Sequence, residues 1–144
     1  MKTIEKSVLI WFSAREMFDL IVDVPTYPQF LPWCDKAEIL TQTDSGMTAR
    51  IGMAFSGLHK SFTTQNTHID GRQVQLELID GPFKHLSGVW DFIPLGQEQA
   101  CRVELKLSYS FDSVFGALVG PVFDKIASTL VDAFVKRAEE VYPR

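Results

Sequence analysis

The stretch Cys101-Arg102-Val103-Glu104-Leu105-Lys106-Leu107-Ser108-Tyr109-Ser110-Phe111 runs directly into Asp112-Ser113 and a long segment ending near Tyr142. In the first part every second residue is apolar, from Cys101 to Phe111, and the residues between are Arg, Glu, Lys and Ser. A period of two marks a strand with one covered and one wet face. In the second part the apolar residues fall at Phe115, Val119, Val122, Ile126, Leu130, Phe134, Ala138 and Val141. Steps of three and four make one stripe of a helix, which Phe123, Ala127 and Val131 widen. Asp112 or Ser113 caps it, and at 1.5 Å per residue it spans roughly 43 Å. Pro121 cannot donate to the carbonyl of Ala117. The sequence therefore predicts a kink at Gly120-Pro121, or a main helix that begins at Pro121.

Upstream, the same period of two recurs. Met47, Ala49, Ile51, Met53 and Phe55 alternate with Thr48, Arg50, Gly52, Ala54 and Ser56. Val74, Leu76 and Leu78 alternate with Gln73, Gln75 and Glu77, and Trp90 and Phe92 flank Asp91. Turn signals at Asp44-Ser45-Gly46, Ser56-Gly57, Asp70-Gly71, Asp80-Gly81-Pro82 and Leu95-Gly96 divide Asp35 to Phe111 into about six strands. A further strand is expected at Ile4 to Trp11. Ser13 and Glu16 form a capping box, so a short helix follows, burying Met17, Phe18, Ile21 and Val22 and ending before Pro25. Pro25, Pro28 and Pro32 limit the next segment to a helical turn and a loop.

The order of elements is that of an α+β fold. A curved antiparallel sheet of about seven strands needs a cover for its apolar face, and only the C-terminal helix is long enough. Strands that curve strongly diverge from such a helix at one end, leaving an apolar cavity. The residues expected inside are Phe18, Phe30, Trp33, Ile51, Met53, Phe55, Phe62, Leu76, Leu78, Trp90, Phe92, Phe123, Ile126, Ala127 and Leu130. Aromatic and thioether surfaces adapt to a flat or flexible apolar ligand without demanding hydrogen bonds. Thr64 and Asn66 share the parity of Phe62 and are placed either to meet a ligand oxygen or to satisfy each other. The loop Tyr27 to Cys34 and the Gly120-Pro121 position are expected at the mouth, where exposed aromatics allow transient membrane contact.

Composition bounds the rest. The 144 residues are 46% hydrophobic and 22% charged, enough for one domain over residues 1–144 with about two thirds of its surface buried. A net charge of −4 excludes a globally basic nucleic-acid binder, and no DNA partner is expected. Cys34 and Cys101 stand outside any Cys-x-x-Cys spacing, so no metal site is expected and two reduced thiols point to the cytoplasm. No signal-peptide pattern opens the chain, and its longest apolar run, Val114 to Phe123, is half a membrane span.

Catalytic motifs are missing. There is no Gly-x-Ser-x-Gly elbow, no His-Glu-x-x-His and no phosphate-binding glycine loop. His59, His68 and His85 read as surface histidines, and Glu139-Glu140 as a solvated helix face. Arg50, Lys60 and Lys84, with His59, His85, Lys36 and Lys6, are expected to gather on one sheet edge, the positive face that an RNA contact requires.

Four segments carry a resemblance: Tyr27-Pro28-Gln29-Phe30-Leu31-Pro32-Trp33-Cys34, Phe62-Thr63-Thr64-Gln65-Asn66, Asp80-Gly81-Pro82-Phe83-Lys84-His85-Leu86-Ser87-Gly88-Val89-Trp90-Asp91-Phe92, and Val131-Asp132-Ala133-Phe134-Val135-Lys136-Arg137-Ala138. The chain resembles the helix-grip, START-like lipid-binding domains, in the branch of coenzyme Q-binding proteins and bacterial ribosome association toxins. The resemblance implies a non-enzymatic binder of a polyprenyl quinone or similar lipid, supporting respiration and requiring no cofactor. An alternative it also implies is association with the large ribosomal subunit, blocking subunit joining. A third is the polyketide cyclase or aromatase activity with which the group is labelled.

Overall fold

The structure is a computed structural model. It describes residues 1–55, 57–96 and 99–143, with backbone only at Phe55, Ser113 and Phe115. Strand β1 spans Lys2–Ile10, helix α1 Ala14–Val22, and a 3₁₀ helix Val24–Gln29. Six strands follow: β2 Cys34–Thr43, β3 Gly46–Phe55, β4 Leu58–Ile69, β5 Gln73–Asp80, β6 Phe83–Leu95 and β7 Ala100–Phe111. Helix α2, Ser113–Val141, closes the chain. The strands form one antiparallel sheet in the order β1-β7-β6-β5-β4-β3-β2, so each hairpin joins neighbours and the first strand returns beside the last. This is the helix-grip arrangement that the alternation and the terminal helix predict.

The capping box forms as read. Ser13 Oγ accepts from Glu16 N at 3.0 Å, and the Glu16 carboxylate accepts from Ser13 N at 2.9 Å. Strand β1 begins and ends earlier than expected, and Trp11 lies beyond it, 80% exposed. The predicted break at Pro121 does not divide the helix: α2 is continuous through it. Its start follows Asp112, whose carbonyl accepts from Gly116 N at 2.9 Å.

The inner face of the sheet is apolar on the predicted parity. Met47, Ala49, Ile51 and Met53 of β3 and Cys101, Val103, Leu105, Leu107 and Tyr109 of β7 are buried. On α2 the buried line runs through Val119, Phe123, Ala127, Val131, Phe134 and Ala138. Val122 and Val141, expected in that stripe, are more than a third exposed. Steps of four lead the buried line away from them on a helix of 3.6 residues per turn. Of Phe115 only the backbone is described.

Polar contacts fasten α2 to the rest, among them Arg137 donating to Gln29 Oε1 at 2.9 Å. Tyr109 Oη donates to Asp124 Oδ1 at 2.5 Å, and Lys2 Nζ meets the other carboxylate oxygen at 2.6 Å. At the far end Tyr142 Oη donates to the Glu16 carbonyl at 2.9 Å. Among the described residues no helix is long and apolar enough to cross a membrane.

Candidate functional site

Between sheet and α2 lies a hollow of about 110 Å³. Its floor is built by strand register. Ile51 pairs with Phe62 and Ala49 with Thr64 across β3 and β4, and Asn66 pairs with Leu76 across β4 and β5. Further along, Gly88 stands between Leu76 and Leu107, and Trp90 pairs with Leu105. A β-carbon on Gly88 would come within 2.9 Å of Leu107 Cδ1, so the missing side chain keeps this part of the floor open. The roof is α2, through Phe123, Ile126, Ala127, Leu130 and Phe134. One wall is the proline-rich segment, through Val24, Tyr27, Leu31 and Trp33.

Eleven residues expected in the cavity line it: Trp33, Ile51, Phe62, Thr64, Asn66, Leu76, Trp90, Phe123, Ile126, Ala127 and Leu130. Five others are placed elsewhere. Phe18 and Phe92 stack edge to face at 5.9 Å beneath α1, where that helix closes the sheet and fills the space. Met53 is buried in the same core and does not face the hollow. Leu78 packs at the margin, near the tight Gly81 turn. Phe30 sits outside the wall, its ring 5.2 Å from Phe134 and beneath the Arg137 guanidinium at 5.1 Å. The side chain of Phe55 lies outside the described residues.

Eight lining residues escaped the sequence reading: Val24, Tyr27, Leu31, Ala49, Leu86, Leu105, Leu107 and Phe134. Leu105 and Leu107 carried a signal, being inward on the same parity as Tyr109. Phe134 lies in the helical stripe and holds the wall together: its ring meets Tyr27 at 5.4 Å and Trp90 at 5.4 Å.

Polar groups in this lining are few. The Thr64 hydroxyl donates to Asn66 Oδ1 at 2.8 Å, both side chains being buried. Among the described residues no hydrogen bond is seen from the Asn66 amide nitrogen or the Trp90 indole N–H, and neither is a fully buried unpartnered atom of the kind that His68 Nε2 is. Tyr27 donates its hydroxyl to the Ile21 carbonyl, and burial pushes its phenol far above the usual range. Among the described residues no Asp, Glu, Lys, Arg or His lines the hollow. Among the described residues no group of His, Cys, Asp and Glu is placed to hold a metal. Burial raises both thiols to about 11.

The histidines divide. His59 Nδ1 lies 3.0 Å from Asp35, exposed, and His85 Nε2 lies 3.0 Å from Ser87. His68 is not the surface residue that was expected. On β4 it shares the inward parity of Phe62, Thr64 and Asn66, packs edge-on against Phe18 at 5.8 Å, and its Nε2 is buried without a partner. Burial lowers its pKa against the opposing pull of Asp70.

The basic residues do not form the expected edge. Arg50 lies on the outer face, its Nε donating to Thr63 Oγ1 at 3.4 Å and its guanidinium 3.7 Å from Glu38. Lys60 pairs with Met53 and so falls on the opposite parity, exposed near the hairpin end. Lys84 is exposed in the bulge between Phe83 and His85, two strands from β4.

A sheet gripping a helix, with an apolar hollow between them, is matched at the level of sequence too. Residues 10–135 match the family described as polyketide cyclase/dehydrase and lipid transport. The chain belongs to this family. Within it, the ribosome association toxin RatA of Vibrio cholerae is 43% identical over 143 residues, covering 99% of each chain. A coenzyme Q-binding protein COQ10 homolog B of Xenopus laevis is 29% identical, covering 96% of this chain and 59% of its own. Solved structures share the fold: a START superfamily protein of Mycobacterium smegmatis (21% identical, TM-score 0.79, 96% and 98% covered) and the Zhui aromatase/cyclase of a Streptomyces (18% identical, TM-score 0.81, 96% and 93% covered). Family membership fixes the scaffold; what a member does rests on its own site.

Proposed function

We propose that this chain binds a hydrophobic small molecule in the hollow beneath α2 and does no chemistry on it. The observation that carries this reading is a lining of apolar side chains interrupted by hydrogen-bond donors, the Asn66 amide and the Trp90 indole, that lack protein acceptors. Such a surface favours an apolar ring bearing a carbonyl oxygen, and a quinone is the best fit to that description. The hollow, about 110 Å³, is smaller than the engineered cavity of about 150 Å³ that holds benzene, so it takes at most the head ring of a ligand. The tail of a polyprenyl ligand would pass out through the wall. A cyclase needs a group to move a proton or steady an enolate. Among the described lining residues the Tyr27 phenol is the one titratable group able to move a proton, and its hydroxyl is already engaged by the Ile21 carbonyl. No cofactor is needed for binding of this kind. We place the protein in the cytoplasm, in support of respiratory quinone handling.

Trp33 and Trp90 provide the experiment. Titrating a short-chain ubiquinone into the purified chain should quench their fluorescence saturably and raise Tm. Neither quenching nor a Tm shift, with no quinone in an organic extract of protein from its host, overturns the reading.

A second reading has its own support, the full-length match to a ribosome association toxin. We infer that the outer surface contacts the large ribosomal subunit, a role compatible with an occupied cavity because the two use different faces. Arg50 is its strongest candidate contact. Sucrose gradients with excess protein should show a reduced 70S peak, and an unchanged profile removes this reading.

A further inference from the structure

We propose that the outer face of the first turns of α2 is a docking surface for an uncharged lipid bilayer. No residue between Asp112 and Asp124 carries a charge. Val119 and Phe123 of this segment turn inward and are buried. Val114, Leu118 and Val122, at successive steps of four, turn outward and are 74%, 68% and 39% exposed. Ala117 and Pro121 lie exposed beside them. Beyond this point the exposed positions become Lys125, Thr129, Asp132 and Lys136. The helix is thus apolar all round for its first turns and amphipathic afterwards. An all-apolar helix is ordinarily a buried one, yet among the described residues no element of the fold covers the outer side.

The occupant follows from size and charge. Three aliphatic side chains fall well short of the roughly 800 Å² per partner of a stable protein interface, which argues against a second copy of the chain. A bilayer interface demands no matching shape and holds a helix in proportion to the apolar area inserted. The choice of lipid rests in part on the carrier reading, because the same turn of α2 that presents Val122 outward holds Phe123 inward as part of the roof of the hollow. The net charge of the chain is −4, which disfavours anionic headgroups, while Asp124 at the edge of the patch is paired with Lys2.

Flotation of the full chain with phosphatidylcholine vesicles tests this. Wild type should float, and doping with phosphatidylserine should weaken the partition. The double substitution Val114→Ser and Leu118→Ser, both at exposed positions, should reduce it at least about ten-fold. The pair Leu9→Ser and Trp11→Ser, at the exposed end of β1, should leave it unchanged. Absence of flotation, equal flotation of the α2 variant, or equal loss in the β1 variant overturns the proposal. So does a dimer by light scattering that the α2 substitutions dissolve, which would assign the face to a second copy. Quinone quenching of Trp fluorescence is measured in parallel. Quenching without flotation sinks the docking surface alone, and flotation without quenching sinks the carrier reading alone.

Discussion

Thr64 and Asn66, two positions apart on β4, face the same hollow, and the Thr64 hydroxyl donates to Asn66 Oδ1 at 2.8 Å. The bond engages the amide oxygen and leaves the nitrogen free of it; on the proposed binding, Thr64 would position that nitrogen as a donor to a ligand. Replacing Asn66→Leu removes the donor while adding apolar surface. A net hydrogen bond contributes about 0.5–1.5 kcal/mol. Affinity for a short-chain quinone should therefore fall roughly three- to ten-fold, while affinity for a hydrocarbon ring of the same size holds or improves. Fluorescence titration of both ligands checks this; equal loss for both would mean that Asn66 shapes the wall without pairing.

Ala127 is 1% exposed on the cavity side of α2. Ala127→Leu extends a branched side chain into empty space. In a solidly packed core the same change costs about 1–3 kcal/mol. Here the hollow takes up the added volume, so Tm should stay within about 5 °C of wild type while quinone binding is abolished. A collapse of Tm would show that the space is not open to a side chain.

How much of this was legible in sequence depends on what period two reports. It tells which face a residue is on, and it placed Ile51, Phe62 and Trp90 correctly inward. It does not tell how far along the strand the helix lifts away. Phe92 is two residues from Trp90 on the same face, yet it meets Phe18 because α1 closes that end of the sheet. Whether an inward residue lines a solid core or a hollow is thus decided by a packing partner distant in sequence. The proline-rich segment hid Tyr27 and Leu31 for another reason: a 3₁₀ helix and loop carry no periodicity from which a side chain's direction can be read. Gly88 has no side chain for the period to place, and its use becomes visible only with Leu76 and Leu107 on either side. His68 was legible, since its parity is that of Asn66, but a histidine between turn signals reads more simply as surface.

His68 makes stability depend on pH. Its folded pKa is lowered from 6.5, first by burial, with Asp70 opposing. The unfolded chain then binds the proton more readily than the folded one, so stability rises with pH across that interval. The contribution is fully present above the unfolded value of 6.5 and is lost as pH falls through the lower folded value. Urea midpoints should decline between about pH 7.5 and pH 5. His68→Phe, which keeps an aromatic edge against Phe18, should flatten the decline; a slope unchanged by the substitution would assign it to other groups.

Tyr109 couples the sheet to α2 through Asp124. Burial pushes the Asp124 carboxyl up, but hydrogen bonds from Lys2 and Tyr109 outweigh it and hold the group below its ordinary value. Tyr109→Phe leaves the ring, 2% exposed, in place among Phe111 and Phe123 and removes only the hydroxyl. A hydrogen bond to a charged group contributes about 1.5–3 kcal/mol, so the substitution should cost about that much near neutral pH, read from urea unfolding with unchanged slope. A carboxylate whose folded pKa is depressed stabilises above its unfolded value, 3.8, and the contribution disappears as pH falls through the folded value. The gap between wild type and Tyr109→Phe should accordingly narrow in acid. A gap that holds constant into strong acid would show that the hydroxyl stabilises the fold without the charge on Asp124.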